Sequence, residues 1–165
     1  MAEVIMTCGR ICSGKSTYAE ELRKRLGAVV LSVDEITLAL FGQDVGDMHD
    51  TYVERTENYL FEKSVQIAAG GTDVILDRGF RTKEERRYAR EFYSSRGIKC
   101  SLHYIDVPDD EWHRRIKKRN GMVAAGKCSA YYIDEGIAEK SAELFEPPDD
   151  EDIDVRVSDR RKEEG

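Results

Sequence analysis

The apolar positions of the chain follow two patterns that alternate along it. Short continuous apolar runs are typical of strands buried on both faces of a parallel sheet, and they occupy residues 3–7, 28–33, 73–76, 98–105 and 153–157. Between them, apolar residues recur at the spacing of one helix face, over residues 16–26, 35–41, about 48–70, 82–96, 108–119 and 130–144. Strands that alternate with helices predict an α/β fold, in which helices cover both faces of a parallel sheet.

Capping and turn residues mark where several of these helices begin and end. Thr82 is a good N-cap, and Pro108 lies where a first helical residue is favoured. We expect Asn120 and Gly121 to end the helix that begins near Pro108. A small mobile lid is therefore predicted at about residues 120–130.

The length and composition of the chain fit one folded unit. Its 165 residues are 40% hydrophobic and 36% charged, and no apolar run is long enough to cross a bilayer. We expect one domain over residues 1–158 and a charged tail over residues 159–165. The N-terminal residues do not have the pattern of a signal peptide, and the four cysteines form no C-x-x-C pair. A cytoplasmic protein with free thiols, monomeric or homodimeric, is therefore expected.

The net charge of −7 argues against binding of duplex DNA, because such binding depends on neutralising many phosphates with lysine and arginine. The charge is nevertheless unevenly distributed. Residues 113–127 contain six lysines and arginines and no acid, whereas residues 143–154 contain seven acids and no base. A local anion-binding site within an acidic protein is compatible with this distribution.

A glycine-rich segment follows the first predicted strand and leads into the first predicted helix. It reads G-x-x-x-x-G-K-S, a pattern whose amides surround phosphate, whose lysine reaches the β and γ phosphates and whose serine binds Mg²⁺. A chance match in a chain of this length is about a one-in-a-hundred event, and the position between strand and helix favours function over a simple turn. The predicted nucleotide-binding residues are Gly9, Arg10, Ile11, Cys12, Ser13, Gly14, Lys15, Ser16 and Thr17.

Two aspartates, Asp34 and Asp77, each follow a predicted strand. The carboxyl ends of parallel strands meet at one edge of the sheet, so both side chains are expected beside the glycine-rich loop. Either carboxylate could bind Mg²⁺ or accept a proton from an attacking hydroxyl. A helix N-cap is the alternative role for Asp34, and a turn before Gly79 is the alternative for Asp77. We assign Asp34 to catalysis and Asp77 to metal and substrate binding, and the reverse assignment stays open.

Basic residues from Arg114 to Arg119 lie on the predicted helix that precedes the lid. Phosphoryl transfer needs positive charge at the closing site, and helix spacing places Arg115 and Arg119 on one face. A solvated face is the alternative, and we retain it for the remaining residues of this string. Arg78, Arg81 and Arg86 are candidates for binding an anionic substrate, although a charged amphipathic helix also explains most of that segment.

Five segments together resemble a known family, the small ATP-binding P-loop kinases related to zeta toxins, chloramphenicol phosphotransferase and the kinase domain of polynucleotide kinase. These segments are residues 9–17, 32–34, 74–80 with Glu85 and Arg86, 115–120 and 145–148. The resemblance implies an AAA-type ATP-binding domain with a P-loop kinase-like three-layer fold, whose five-stranded parallel sheet has the order 2-3-1-4-5. It also implies that Asp34 is a candidate base and that Arg115 and Arg119 lie at the lid over ATP. The chain departs from many relatives at Cys12, where they have glycine.

These features predict an enzyme that uses ATP and Mg²⁺ to transfer the γ-phosphoryl group to a hydroxyl of a small molecule or a nucleic-acid end. The alternative is a P-loop NTPase or a nucleotide-dependent switch that has no phosphoryl acceptor. Residues 42–60 and 78–90, where an acceptor is expected to bind, match no particular subfamily. The acceptor itself is therefore not predicted.

Overall fold

The computed structural model describes residues 2–128 and 130–158. The predicted charged tail, residues 159–165, lies outside the described residues, as does Ser129 within the predicted lid. None of the helices in the described part of the chain is both long and apolar enough to cross a membrane.

Five strands form one parallel sheet, as predicted. They are β1 (Glu3–Cys8), β2 (Val29–Ser32), β3 (Val74–Asp77), β4 (Lys99–Ile105) and β5 (Val155–Val157). Their order is β2-β3-β1-β4-β5, so the expected order 2-3-1-4-5 is confirmed. Thr7 of β1 pairs with Asp77 of β3, and Ser32 of β2 pairs with Asp77 from the other side. This register brings the carboxyl ends of the three strands to one edge, where Gly9 follows β1.

Within the described residues, six α-helices connect the strands and cover both faces of the sheet. They are α1 (Lys15–Leu26), α2 (Val33–Phe41), α3 (His49–Ala69), α4 (Lys83–Ser94), α5 (Asp109–Ala124) and α6 (Glu135–Leu144). One buried apolar cluster includes Phe61 of α3 and Tyr93 of α4, and the other includes Leu22 of α1 and Trp112 of α5. The sheet between these clusters gives the predicted three layers.

The predicted end of α5 at Asn120 and Gly121 is wrong, because this helix continues to Ala124. A single glycine inside a helix costs only about 1 kcal/mol relative to alanine, which the rest of the helix can offset. Asn120 does not end the helix because its side chain bonds across to Ile133, donating to its carbonyl and accepting from its amide at 2.8 Å. The following helix also begins later than predicted, since Asp134 caps α6 by accepting from the amide of Ile137 at 2.7 Å.

Thr82 caps α4, as expected. Its side chain accepts from the amide of Glu85 at 3.1 Å, and the Glu85 carboxylate accepts in return from the amide of Thr82 at 3.2 Å. This reciprocal pair satisfies two amides that a helix start leaves without intrahelical partners. It also fixes Glu85 at the entrance of α4, next to the segment that follows β3.

Candidate active site

A single large cleft opens at the carboxyl edge of the sheet and has a volume of about 1710 Å³. The glycine-rich loop, α2, the start of α3, the segment after β3 and α5 contribute its walls. All of the sequence-predicted site residues line it except Arg10. The Arg10 side chain turns away, donates to the carboxylate of Asp109 at 2.7 Å and to the carbonyl of Val107 at 2.5 Å, and stacks on Trp112.

The glycine-rich loop turns tightly between β1 and α1. Gly14 has a φ of 95°, and a methyl group at Gly9 would lie 2.6 Å from the Ser13 hydroxyl oxygen and 2.9 Å from the Ile105 carbonyl oxygen. Both glycines are therefore required by backbone conformation or close approach. Cys12 also has a left-handed φ of 59°, a conformation that glycine adopts more readily than cysteine. The loop leads directly into α1, so amides and the positive end of a helix dipole face the cleft.

The Lys15 ammonium lies inside the loop rather than in solvent. It donates to the carbonyl of Arg10 at 2.7 Å and to the carbonyl of Gly9 at 3.1 Å. Burial lowers the pKa of Lys15, whereas the carboxylates of Asp77 and Asp34 act to raise it. These two carbonyls are hydrogen-bond acceptors that the anionic oxygens of a triphosphate would replace.

Ser16 and Asp77, the two predicted metal ligands, lie in direct contact. The Ser16 hydroxyl donates to Oδ2 of Asp77 at 2.7 Å, and the Thr7 hydroxyl donates to Oδ1 at 3.3 Å. A hydroxyl and a carboxylate suit Mg²⁺, which prefers oxygen ligands and completes its octahedron with phosphate oxygens and water. No group of three or more His, Cys, Asp or Glu residues among those described could hold a metal by itself.

Asp34 lies in the first turn of α2, on the wall of the cleft that faces the glycine-rich loop. The alternative role as a helix cap belongs instead to Ser32, whose hydroxyl accepts from the amide of Glu35 at 3.2 Å. Asp34 is accessible from the cleft, yet the surrounding walls displace much of its water. This desolvation raises the pKa of Asp34, Lys15 and Arg119 act to lower it, and Asp77 adds to the increase.

Arg115 and Arg119 point from α5 toward the glycine-rich loop. Nη1 of Arg115 donates to the Ser13 carbonyl at 2.6 Å, and its Nε donates to Glu111 at 3.0 Å. Nη1 of Arg119 contacts the Cys12 sulfur at 3.2 Å, while its buried Nε has no hydrogen-bond partner. The predicted shared face of these two arginines is therefore present.

Arg78 and Arg81 both lie in the cleft segment that follows β3 and have different surroundings. Arg78 forms ion pairs with Glu57 of α3 and with Glu85, the latter at 3.3 Å. Arg81 is exposed to the cleft, and its side chain has no ion pair among the residues described. Only Arg81 is available for an anion without the loss of an existing ion pair.

Two residues of the cleft were not anticipated from the sequence. Glu57 lies on a long amphipathic helix, where its charge looks like part of a solvated face. Tyr131 hydrogen-bonds Thr37 of α2 at 2.9 Å and packs its ring edge-on to His49 at 5.6 Å. The sequence offers no signal for Glu57 or Tyr131, because their partners, Arg78 and Thr37, lie 21 and 94 positions away along the chain.

A parallel five-stranded sheet with a glycine-rich loop after its central strand, a lysine, and a serine bonded to an aspartate defines a P-loop nucleotide-binding protein. Residues 4–130 match a family described as an AAA domain. This match covers most of the chain, which therefore belongs to that family, and the expected resemblance is confirmed. No curated protein matches the chain by sequence.

Solved structures share the fold at low sequence identity. The APS kinase CysC of Mycobacterium tuberculosis, in complex with AMPPNP and APS, is 21% identical with a TM-score of 0.66, over 95% of this chain and 88% of that one. A gluconokinase of Sinorhizobium meliloti 1021 is 15% identical with a TM-score of 0.63, over 94% and 81%. The Pnkp1/Rnl/Hen1 RNA repair complex contains a chain that is 22% identical with a TM-score of 0.70, over 87% of this chain but only 43% of that one. This group of structures has the same three-layer architecture as the chain.

Proposed function

We propose that the protein is an ATP-dependent kinase that transfers the γ-phosphoryl group to a hydroxyl of a small molecule or a nucleic-acid end, and that residues 1–158 form its single domain. The observation that carries this proposal is the cleft itself, which a phosphate-binding loop and two arginines share with a carboxylate on the facing wall. Phosphoryl transfer needs these three components, namely a phosphate site, positive charge at the transferred group and a proton acceptor.

The triphosphate site consists of the loop amides, Lys15 and the arginines of α5. Lys15 exchanges its two carbonyl partners for the β and γ oxygens, because charged acceptors make stronger hydrogen bonds than neutral carbonyls do. Arg119, whose guanidinium lies against Cys12 of the loop and lines the cleft, supplies a donor for the charge that develops during transfer. Arg115, which is anchored on the Ser13 carbonyl, keeps α5 against the loop.

Ser16 and Asp77 would hold Mg²⁺, which supplies charge neutralisation between the β and γ phosphates when it is bound. Their contact at 2.7 Å places a hydroxyl and a carboxylate oxygen together at the start of α1. Thr7 fixes the other oxygen of Asp77, so that carboxylate keeps one orientation.

Asp34 acts as the base in the proposed reaction. The acceptor hydroxyl gives its proton to the Asp34 carboxylate, its oxygen forms a bond to the γ phosphorus, and the bond from that phosphorus to the β–γ bridging oxygen breaks, releasing ADP. The raised pKa of Asp34 suits this role, because a base works best when its pKa approaches the operating pH.

The similar solved structures support a kinase but differ in the acceptor that they suggest. One is an APS kinase bound to AMPPNP and APS, and another is a gluconokinase. A nucleotide analogue in the first complex supports ATP as the phosphoryl donor for this chain. The acceptor requires direct measurement.

A screen for transfer of ³²P from [γ-³²P]ATP to hydroxyl compounds, nucleosides and 5′-hydroxyl oligonucleotides tests the proposal. We expect acceptor-dependent labelling in the wild type and its loss in Lys15→Met, because no other cation is buried in the loop to replace the ammonium. Undiminished labelling in Lys15→Met would reject the site. Hydrolysis of ATP at a rate that no acceptor changes would instead favour an NTPase or a switch.

A further inference from the structure

The cleft has two sides of opposite charge. Its phosphate side carries Lys15, Arg115, Arg119 and the positive end of the α1 dipole. Three acids also line this side: Asp77 is bonded to Ser16, and Glu20 and Asp106 are paired with Arg23 and Arg156. Its other side, formed by α2, the first half of α3 and the start of α4, contains five carboxylates, which belong to Asp34, Glu35, Asp50, Glu57 and Glu85. We call this second side the acceptor wall. A triphosphate is attracted to the first side and repelled by the second.

Arg78 does not offset the negative charge of the acceptor wall for an incoming ligand. It is held between Glu57 and Glu85, and only 18% of its side chain is exposed. Glu85 is itself fixed by its reciprocal hydrogen bonds with Thr82. An anionic group that approached Arg78 would therefore have to displace a carboxylate that also stabilises the start of α4.

Arg81 lies close to the phosphate side of the cleft. A methyl group at Gly79 would lie 3.8 Å from Cγ of Arg81 and 3.9 Å from Cε of Lys15, so both side chains pass the same glycine. The Gly79 carbonyl also accepts from the amide of Gly9 in the loop, at 3.2 Å. We assign the charge of Arg81 to the transferred phosphoryl group rather than to the acceptor.

Besides the proposed base Asp34, Glu35 and Asp50 are the exposed carboxylates of the acceptor wall. Neither has an ion-pair partner within residues 2–128 and 130–158. Tyr131 adds an aromatic face to the same region, and aromatic faces attract ammonium groups. Hydroxyl and ammonium donors suit this combination, whereas phosphate, sulfate and carboxylate groups do not.

We infer that the phosphoryl acceptor is a hydroxyl compound without net negative charge, and that an acceptor bearing an ammonium group binds best. This inference rests on the proposed kinase function and deepens it. It disfavours nucleic-acid ends and esters of phosphate or sulfate, since each would bring anionic groups against the acceptor wall. The net charge of −7 acts in the same direction at longer range.

A panel of acceptors that differ in charge but are otherwise similar tests this preference. Glucosamine, glucose and gluconate differ in charge but share most of their hydroxyls, and adenosine can be compared with its 5′-deoxy-5′-amino and 3′-phosphate derivatives. We expect transfer, measured as kcat/KM, to be about tenfold or more greater for the cationic than for the anionic member of a series, the scale of one charge interaction near a surface. An anionic member that is the best substrate of its series would overturn the inference.

Charged nitroxides test the acceptor wall without any acceptor. We expect a cationic nitroxide to relax the amide protons of Gln43, Asp50 and Glu57 more than an anionic nitroxide does. At the amides of the glycine-rich loop, we expect the anionic nitroxide to have the larger effect. Equal relaxation, or a preference for the anionic probe at the acceptor wall, would contradict the inference even if the enzyme is a kinase. If the two nitroxides give the expected relaxation but no acceptor is labelled with ³²P, the charge of the acceptor wall is supported and the proposed kinase activity is contradicted.

Two double variants test whether Glu57 and Glu85 neutralise the charge of Arg78 at the acceptor wall. Glu57→Gln with Glu85→Gln frees Arg78 while keeping the shape of both side chains, and glutamine still serves in a capping box. We expect the ratio of amide-proton relaxation by the cationic nitroxide to that by the anionic nitroxide at the acceptor wall to fall by about twofold or more. Glu54→Gln with Glu84→Gln, exposed neighbours on the same two helices that do not line the cleft, should leave it nearly unchanged. If both double variants change this ratio equally, the position of Glu57 and Glu85 beside Arg78 does not matter, and the inferred neutralisation of Arg78 is wrong.

Discussion

Asp34 lies just after β2 and Asp77 is the last residue of the neighbouring strand β3, yet they meet different partners. Two hydroxyls hold the Asp77 carboxylate, from Ser16 at 2.7 Å and Thr7 at 3.3 Å. The Asp34 carboxylate has no such hydrogen bond among the described residues and is open to the cleft. A fixed carboxylate suits a metal ligand, and a free one suits a group that must gain and lose a proton.

Asp34→Asn tests the proposed base. Asparagine keeps the size of the side chain but accepts no proton at neutral pH, and Ser32 rather than Asp34 caps α2, so the fold and ATP affinity should remain. We expect phosphoryl transfer to fall by about a hundredfold or more, the scale for losing a general base. Steady-state transfer with a responsive acceptor and a separate measurement of ATP affinity check this.

The pH profile gives a second test of the same residue. Transfer requires ionised Asp34, so its rate should be lost as pH falls through the pKa of Asp34. Because desolvation raises that pKa, the acid limb of kcat/KM should lie above the range of an ordinary aspartate, and Asp34→Asn should remove it. Asp77→Asn should instead show a defect that extra Mg²⁺ partly restores. Restoration of Asp34→Asn by Mg²⁺ would exchange the two roles.

Helix α5 joins the glycine-rich loop to the predicted lid. Its first half carries Trp112, whose indole donates to the Ile11 carbonyl at 2.5 Å, and Arg115, and its second half carries Arg119. Its last turns are fixed by the bonds between Asn120 and Ile133. The arginines that we assign to phosphoryl transfer thus lie on a helix that is anchored at both ends.

Arg119→Ala should lower kcat by roughly tenfold to a thousandfold, because its loss removes a donor from the developing charge while Arg115 partly replaces it. Lys118→Ala is the matched control, since this neighbouring cation is exposed and does not line the cleft. Rates of phosphoryl transfer at saturating ATP compare the two. A similar loss in both variants would mean that overall charge, and not the position of Arg119, matters.

Gly121 provides a stability test of the course of α5. It lies inside the helix with open space around the position of a Cβ. Gly121→Ala should therefore raise the free energy of unfolding by about 1 kcal/mol. Gly126→Ala, where φ is 69°, should lower it. Urea denaturation of both variants measures these changes. If residue 121 lay in a loop, as the sequence suggested, Gly121→Ala would not stabilise the protein.

A buried ion pair connects the acidic C-terminal segment to the centre of the molecule. Arg86, whose side chain is fully buried, pairs with Glu151 at 2.6 Å and donates to the carbonyls of Phe80 and Glu146, each at 2.7 Å. Phe80 has a φ of 44° and follows the Asp77–Gly79 turn of the cleft. Arg86 therefore supports the active-site edge without lining the cleft.

Arg86→Gln should lower the free energy of unfolding by about 3 to 5 kcal/mol, because it leaves a largely buried carboxylate and two carbonyls without a full set of donors. Arg87→Gln is the control, since this adjacent arginine is 71% exposed and its distance to Glu91 is 4.0 Å. Chemical denaturation measures both. Equal small shifts would assign the stability of this region to apolar packing instead.

The order of the sheet and the meeting of Ser16 with Asp77 were predictable, because apolar runs locate strands and parallel strands bring their carboxyl ends to one edge. The role of Arg86 was not. Its segment has the charge pattern of a solvated helix, and its partner Glu151 lies 65 positions along the chain within an acidic run that also looks solvated. Local pattern determines which residues are apolar, but it does not determine which charges meet.

The opposite charges of the cleft come from different stretches of the chain, and this separation has an evolutionary consequence. The phosphate side belongs to the loop, α1 and α5, whereas the acceptor wall belongs to α2, α3 and the start of α4. Substitutions that alter the acceptor wall leave the phosphate contacts in place. A duplicated gene could therefore acquire a new acceptor through a few charge changes while it inherits the chemical step intact.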